Sequence, residues 1–241
     1  LKSTALTAVL LLAFSSCVLL PAAHSSHAGV VTVYPERGAA AWGARRLSSW
    51  FNHTAPRLQH DFHVEPGRLT VLMFADHASF TRAAARTRSS TVQGEADNVG
   101  SVAAGKLLLG PEDSRYLHHN LVHVYSEWLL DHVVGNRSDR LPSQTWLYDG
   151  IGELEALRYA PEHLPCAYSG KSPFDVTRID TAHRWMELRA SPVGAEEYCL
   201  AALEVRKIVS RLGWSSLLQL LHREGIERAG RFLAKRFPPA A

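Results

Sequence analysis

The spacing of apolar residues changes along the chain, and each change predicts an element. Val30–Tyr34 and Leu69–Phe74, VVTVY and LTVLMF, are short β-branched and apolar runs that read as strands, the first stopped by Pro35. Between them Trp42, Leu47, Trp50 and Phe51 recur at near-helical spacing until Pro56, with a continuation through Leu58 and Phe62. Asp76 suits the N-cap of a helix holding Phe80 and Ala83–Ala85, and the polar stretch Thr87–Asn98 reads as a loop. Val99–Val102 and Lys106–Leu109 then read as short strands closed by Gly110-Pro111. Beyond them the period becomes helical. Leu117–Val134 is apolar on nearly every side, with Asp113 or Ser114 to cap it and Gly135 to end it. Ser143 opens the next helix, SQTWLYDGIGELEALRY, which Pro161 terminates, and Ala182–Arg189, Glu196–Leu212 and Trp214–His222 follow. The expected fold is α+β, with a small mixed sheet near the N-terminus stacked on the Leu117–Val134 helix and a mainly helical C-terminal half. Residues 29–241 are expected to form one domain, with an α/β part over about 29–135 and a helical part over about 136–241.

Polar groups inside so apolar a helix need a reason. His119 and His123 are four residues apart, so their imidazoles project side by side and can share one metal ion. The pair alone carries little information, because 13 histidines in 241 residues produce this spacing roughly once by chance. Its conjunction with Asp149 and Glu153, also four apart on one predicted helix, is more informative. Two imidazoles and a carboxylate leave the fourth position of tetrahedral zinc open for water or a substrate carbonyl, and Glu153, one turn on, can hold a ligand histidine in one tautomer. Gly150 and Gly152 each cost about 1 kcal/mol in a helix interior unless a neighbour needs the missing side chain, which points to close helix packing. The alternative is a solvated carboxylate face with glycines in a loop.

The run His119-Asn120-Leu121-Val122-His123, followed by Pro142 and Trp146-Leu147-Tyr148-Asp149-Gly150-Ile151-Gly152-Glu153, resembles the pattern H-E-x-x-H … W-L-x-E-G-x-A-E of the gluzincin, or peptidase MA-like, zinc metallopeptidases. The likeness extends upstream through Leu69–Phe80 and downstream through Tyr198–Leu221. It implies a zincin-like fold, zinc held by His119, His123 and Asp149, and Glu153 as the partner that orients a histidine. It also implies that Lys106–Leu109 (Lys106, Leu107, Leu108, Leu109) forms an edge strand that pairs with extended peptide through its main chain; the plain alternative is an edge strand with no ligand. The chain departs from the pattern at Asn120 for the general-base Glu, at Asp149 for the ligand Glu and at Gly152 for Ala. Asp ligates zinc as Glu does and Gly is sterically permissive, but an amide cannot take a proton from metal-bound water. Glu127 is about 12 Å along the axis from His119, too far to serve as the missing base, and His118 points about 100° away from His119. Tyr159, Tyr168, His183 and Tyr198 are all candidates for stabilising an oxyanion, and their spacing selects none of them.

Composition narrows the remaining choices. A net charge of +3 and the lack of a basic run with interleaved aromatics argue against a nucleic-acid partner. Residues 1–28 read as an export leader, with Lys2, the apolar run Ala5–Leu20 and then small residues that suit a cut after Ala23 or Ala28; Cys17 is a candidate lipoprotein cysteine. No further segment is apolar enough to span a membrane, so the mature chain is expected in the periplasm, secreted, or lipid-anchored at the envelope. There Cys166 and Cys199 form a candidate disulfide; two buried thiols that never meet are the alternative. The expected function is an exported metallopeptidase-like protein that binds zinc and a peptide or protein but hydrolyses weakly or not at all. An active zinc peptidase with another base and a metal-free structural domain are the competing readings.

Overall fold

The structure is a computed structural model that describes residues 24–25, 31–35, 41–65, 69–86, 100–103, 106–109, 117–135, 143–160, 175–189 and 194–238. These residues are mainly helical. The helices are α1 (Ala41–Phe62), α2 (His77–Arg86), α3 (Leu117–Val134), α4 (Thr145–Tyr159), α5 (Ala182–Arg189), α6 (Gly194–Leu212) and α7 (Trp214–Arg236), with a 3₁₀ turn at Val176–Arg178. The strands are β1 (His24–Ser25), β2 (Val31–Pro35), β3 (Leu69–Met73), β4 (Gly100–Ala103) and β5 (Lys106–Leu109).

Strand order is β1-β2-β3-β5-β4. β2, β3 and β5 run parallel, while β4 pairs antiparallel with β5, Gly100 opposite Leu109 and Ala103 opposite Lys106. This order corrects the expectation for Lys106–Leu109. β5 is hydrogen-bonded on both sides, to β3 and to β4, so its main chain has no open edge to offer a peptide. The outer position falls to β4, which packs beside α3. Leu108 is buried instead against Phe80 of α2, with Leu72 and Phe74 around them.

The helical core is built on α3. Leu121, Val122, Tyr125, Leu129 and Leu130 are all fully buried, as a helix apolar on every side requires. Gly135, at φ 63°, ends it in the left-handed conformation that favours glycine. α1 runs unbroken through Pro56, although an interior proline costs roughly 3 kcal/mol. The compensation is a continuous buried stripe, Leu47, Phe51, Ala55, Leu58 and Phe62, set against α3 with Phe51 edge-on to Tyr125 at 4.7 Å. Gln59 donates to the Tyr125 hydroxyl at 2.8 Å, giving the buried phenol a partner.

α4 lies between α3 and α6, and its two glycines set both distances. A Cβ on Gly150 would meet the Ala201 carbonyl oxygen of α6 at 2.8 Å, and one on Gly152 would meet the His123 carbonyl oxygen of α3 at 3.1 Å. The close packing expected from the sequence is therefore present on both sides. Gly150→Ala gains about 1 kcal/mol of helix propensity and loses about 1–3 kcal/mol to overpacking against backbone that cannot yield. A net loss of up to about 2 kcal/mol in urea unfolding is expected; a variant more stable than the parent would refute the close contact.

Candidate functional site

The approach of α4 to α3 at Gly152 carries the polar residues of both helices into one buried place. Glu153 reaches across to both histidines. His119 Nε2 donates to its carboxylate at 2.9 and 3.1 Å, and His123 Nδ1 donates to Oε2 at 3.0 Å. Burial pushes the Glu153 carboxyl up, but the hydrogen bonds and charge of the two imidazoles outweigh it and hold the group at about 2. It is therefore an ionised acceptor. The other nitrogen of His123, Nε2, faces Glu127 Oε1 at 3.1 Å, one helical turn along. Burial lowers the His123 pKa, yet carboxylates at both ring nitrogens raise it well above its ordinary value, so the ring is held as the imidazolium.

Asp149 sits one turn before Glu153, buried, and its Oδ2 accepts the indole N–H of Trp185 at 2.6 Å. Trp185 is a fully buried residue of α5, and it packs edge-on to Tyr198 of α6. Tyr198 in turn stands edge-on to His123, with ring centroids 5.4 Å apart. Of the three candidates for stabilising an oxyanion among the described residues, Tyr198 is the one placed beside a site histidine. Tyr159 donates to Asp61 at 2.6 Å, His183 is exposed and pairs with Glu187, and Tyr168 lies outside the described residues. Tyr148 donates to the Glu127 main-chain oxygen at 3.3 Å and, together with Asp131, closes the group beyond Glu127.

One set of donors could hold a metal ion among the described residues. His123, Glu127 and Asp149 offer one atom each, all within 4.8 Å of one another. An imidazole and two carboxylates suit a hard or borderline divalent cation and leave room for further ligands. Coordination needs the neutral ring, so a cation at His123 exchanges with its proton. His119 stands apart from this set: its Nε2 is turned to Glu153, and its buried Nδ1 has no hydrogen-bond partner.

The histidines and carboxylates named from the sequence are thus neighbours, in a different grouping. The sequence grouped His119, His123 and Asp149 as ligands; here His123 and Asp149 share a candidate donor set with Glu127, and Glu153 meets ring nitrogens of both His119 and His123. Asn120 is half-buried on α3 immediately after His119. His118 stacks on Trp50 with centroids 4.3 Å apart, a packing role in agreement with its direction on the helix. Sequence reasoning weighed Glu127 only as a base and not as a metal donor, and it missed Trp185 altogether. The i, i+4 spacing of Glu127 from His123 was a usable signal, whereas nothing in the sequence tied Trp185 to Asp149. Cys199 takes part in a disulfide, and Cys166, its expected partner, lies outside the described residues. No helix among the described residues is long and apolar enough to cross a membrane. Comparison with protein-family models, curated proteins and solved structures gives no match to this chain.

Proposed function

We propose that this chain is an exported, zincin-like protein that binds zinc and a peptide or protein ligand, with weak or no peptidase activity because Asn120 stands where hydrolysis needs a carboxylate. The observation that carries the reading is the convergence of His123, Glu127 and Asp149 in one buried group, with His119 and Glu153 adjoining it. The carboxylates Glu127, Asp149 and Glu153 outnumber the His123 imidazolium, and burying the surplus, with a Trp N–H as a fixed donor, is costly without a further cation. Zinc held by His123, Glu127 and Asp149 would supply that charge, and the chemistry it would bring is polarisation of a carbonyl oxygen. The antiparallel outer strand β4 beside α3 is the main-chain edge best placed to receive an extended peptide. Export rests on the leader-like residues 1–28; a cut after Ala23 keeps strand β1, which pairs with β2, and a cut after Ala28 removes it.

His123 and Asp149 belong to both donor sets, and the third protein ligand is His119 by resemblance or Glu127 by proximity. Structural zinc sites hold roughly 10–16 kcal/mol over four ligands, so losing one ligand costs on the order of 100-fold in affinity. Zinc titration of the full chain should therefore show one ion per chain and a loss of about 100-fold or more in His123→Ala. Whichever of His119→Ala and Glu127→Ala matches that loss identifies the third ligand. Absence of zinc binding overturns the metal reading. Hydrolysis of an unbiased peptide library, abolished by His119→Ala, overturns the weak-peptidase reading in favour of an active enzyme.

A further inference from the structure

Gly225, at φ 69° and ψ 169°, interrupts α7, so Ile226–Arg236 is a separate helical stretch with its own orientation. It buries Ile226, Ala229, Gly230 and Leu233. At 100° per residue, Arg228, Arg231, Phe232, Lys235 and Arg236 fall within an arc of about 140° on the opposite side, and all five are exposed. Phe232 is 53% exposed, the large apolar side chain that stands out among the described residues. From Gly225 to the end of the chain these four cations stand against Glu227 alone, a surplus as large as the +3 of the entire sequence. Glu227 lies at the border of the face, where it pairs with Arg231 at 3.5 Å and bonds Ser143. Arg211 of α6 extends the positive charge, its guanidinium 5.9 Å from the Phe237 ring centroid. The near-neutral total concealed this face, because the helical period sorts cations to one side while acidic residues elsewhere cancel them in the sum.

We propose that Arg228, Arg231, Lys235 and Arg236, with Phe232 among them, dock the protein on an anionic lipid bilayer. Charge complementarity selects the occupant. A stripe two turns long sets four cations against headgroup phosphates while one aromatic ring enters the interface, the arrangement of a helix that lies in the membrane plane. Single-stranded nucleic acid would draw on several stacking rings along a groove, and this ridge offers one. The contact is reversible and salt-sensitive, because each exposed cation contributes only about five-fold to partitioning at low ionic strength.

Co-sedimentation of the full chain with phosphatidylcholine vesicles, with and without phosphatidylglycerol, tests this. Any contribution of the apolar run Ala5–Leu20 appears on both lipids, so the ratio of anionic to neutral partitioning is the measured quantity. The double variant Arg231→Gln/Lys235→Gln should lower that ratio about 25-fold at low salt with an unchanged circular dichroism spectrum, and Phe232→Ser should weaken binding to anionic vesicles alone. A ratio near one for the parent, or a ratio the double variant leaves unchanged, overturns the proposal. Tighter binding to double-stranded DNA or to polyglutamate than to anionic vesicles overturns it too, and assigns the face to that polyanion.

Discussion

Asn120→Glu in the zinc-loaded protein is expected to raise peptide hydrolysis by about 10²–10⁴-fold, the usual contribution of a positioned general base. The reasoning starts from chemistry rather than from stability. Zinc lowers the pKa of bound water, but the proton must still pass to the leaving amine, and an amide side chain can neither take it nor deliver it. Position 120 follows His119 on α3 and is half-buried, so a Glu side chain there is accommodated without rebuilding the core. The measurement is kcat/KM on a peptide found in the library screen, at matched zinc occupancy, with Asn120→Gln as the control of Glu size and no charge. Zinc bound and no gain in rate would mean that Asn120 is not what limits catalysis and that the rest of the site is not arranged to carry water to a carbonyl.

The second large effect concerns Glu155, away from the donor set. Its side chain is 3% exposed and its Oε2 has no hydrogen-bond partner; Arg158 stands 3.6 Å away but is itself more than half exposed and gives its close contact, 2.7 Å, to Asp61. Burial pushes the Glu155 carboxyl up to about 7, with Arg158 pulling down and Asp61 pushing up as smaller influences. A carboxyl with a raised folded-state pKa contributes stability that is complete below the unfolded value of 4.5 and is lost as pH rises through about 7. That interval corresponds to about 3 kcal/mol. Glu155→Gln removes the ionisation, so it should be up to about 3 kcal/mol more stable than the parent at pH 8 and nearly equal to it at pH 4, by urea unfolding. Asp131, also raised to about 7 by burial, bends the parent curve in the same direction, but the difference between the two proteins isolates Glu155. An equal difference at both pH values would show that Glu155 keeps its charge in the fold.

What the sequence revealed depended on how local the cause was. α3 begins and ends where its apolar period and Gly135 put it, because both signals lie within the helix. Gly150 and Gly152 announced close neighbours, since an otherwise costly residue in a helix implies a contact, but they could not say that one faces α6 and the other α3. The expected stop at Pro56 failed because the buried stripe from Leu47 to Phe62 outweighs one lost hydrogen bond. α7 continues past His222 to Arg236, because the segment after Gly225 buries Ile226, Ala229 and Leu233 against the core, a tertiary cause. The outer strand of the sheet was misplaced for a similar reason: composition can mark β4 and β5 as strands, but the order in which they pair is a property of the assembled chain. At the site, spacing along single helices paired His119 with His123 and Asp149 with Glu153. The contacts that divide them, Glu153 across both imidazoles and Trp185 on Asp149, pass between helices and leave no periodic trace.

The hydrogen bond from Trp185 to Asp149 makes the site visible to light. An indole is a fluorophore whose emission responds to the charge its N–H faces, and here the N–H faces a carboxylate of the proposed metal group from a fully buried position. Neutralising that carboxylate alters the field on this ring without any label being added. Of the six tryptophans, Trp50 lies against His118 and Trp146 donates to Gln144, so each reads other surroundings. The protein thus carries its own spectroscopic gauge of the charge on Asp149, one that works in dilute solution and needs no substrate.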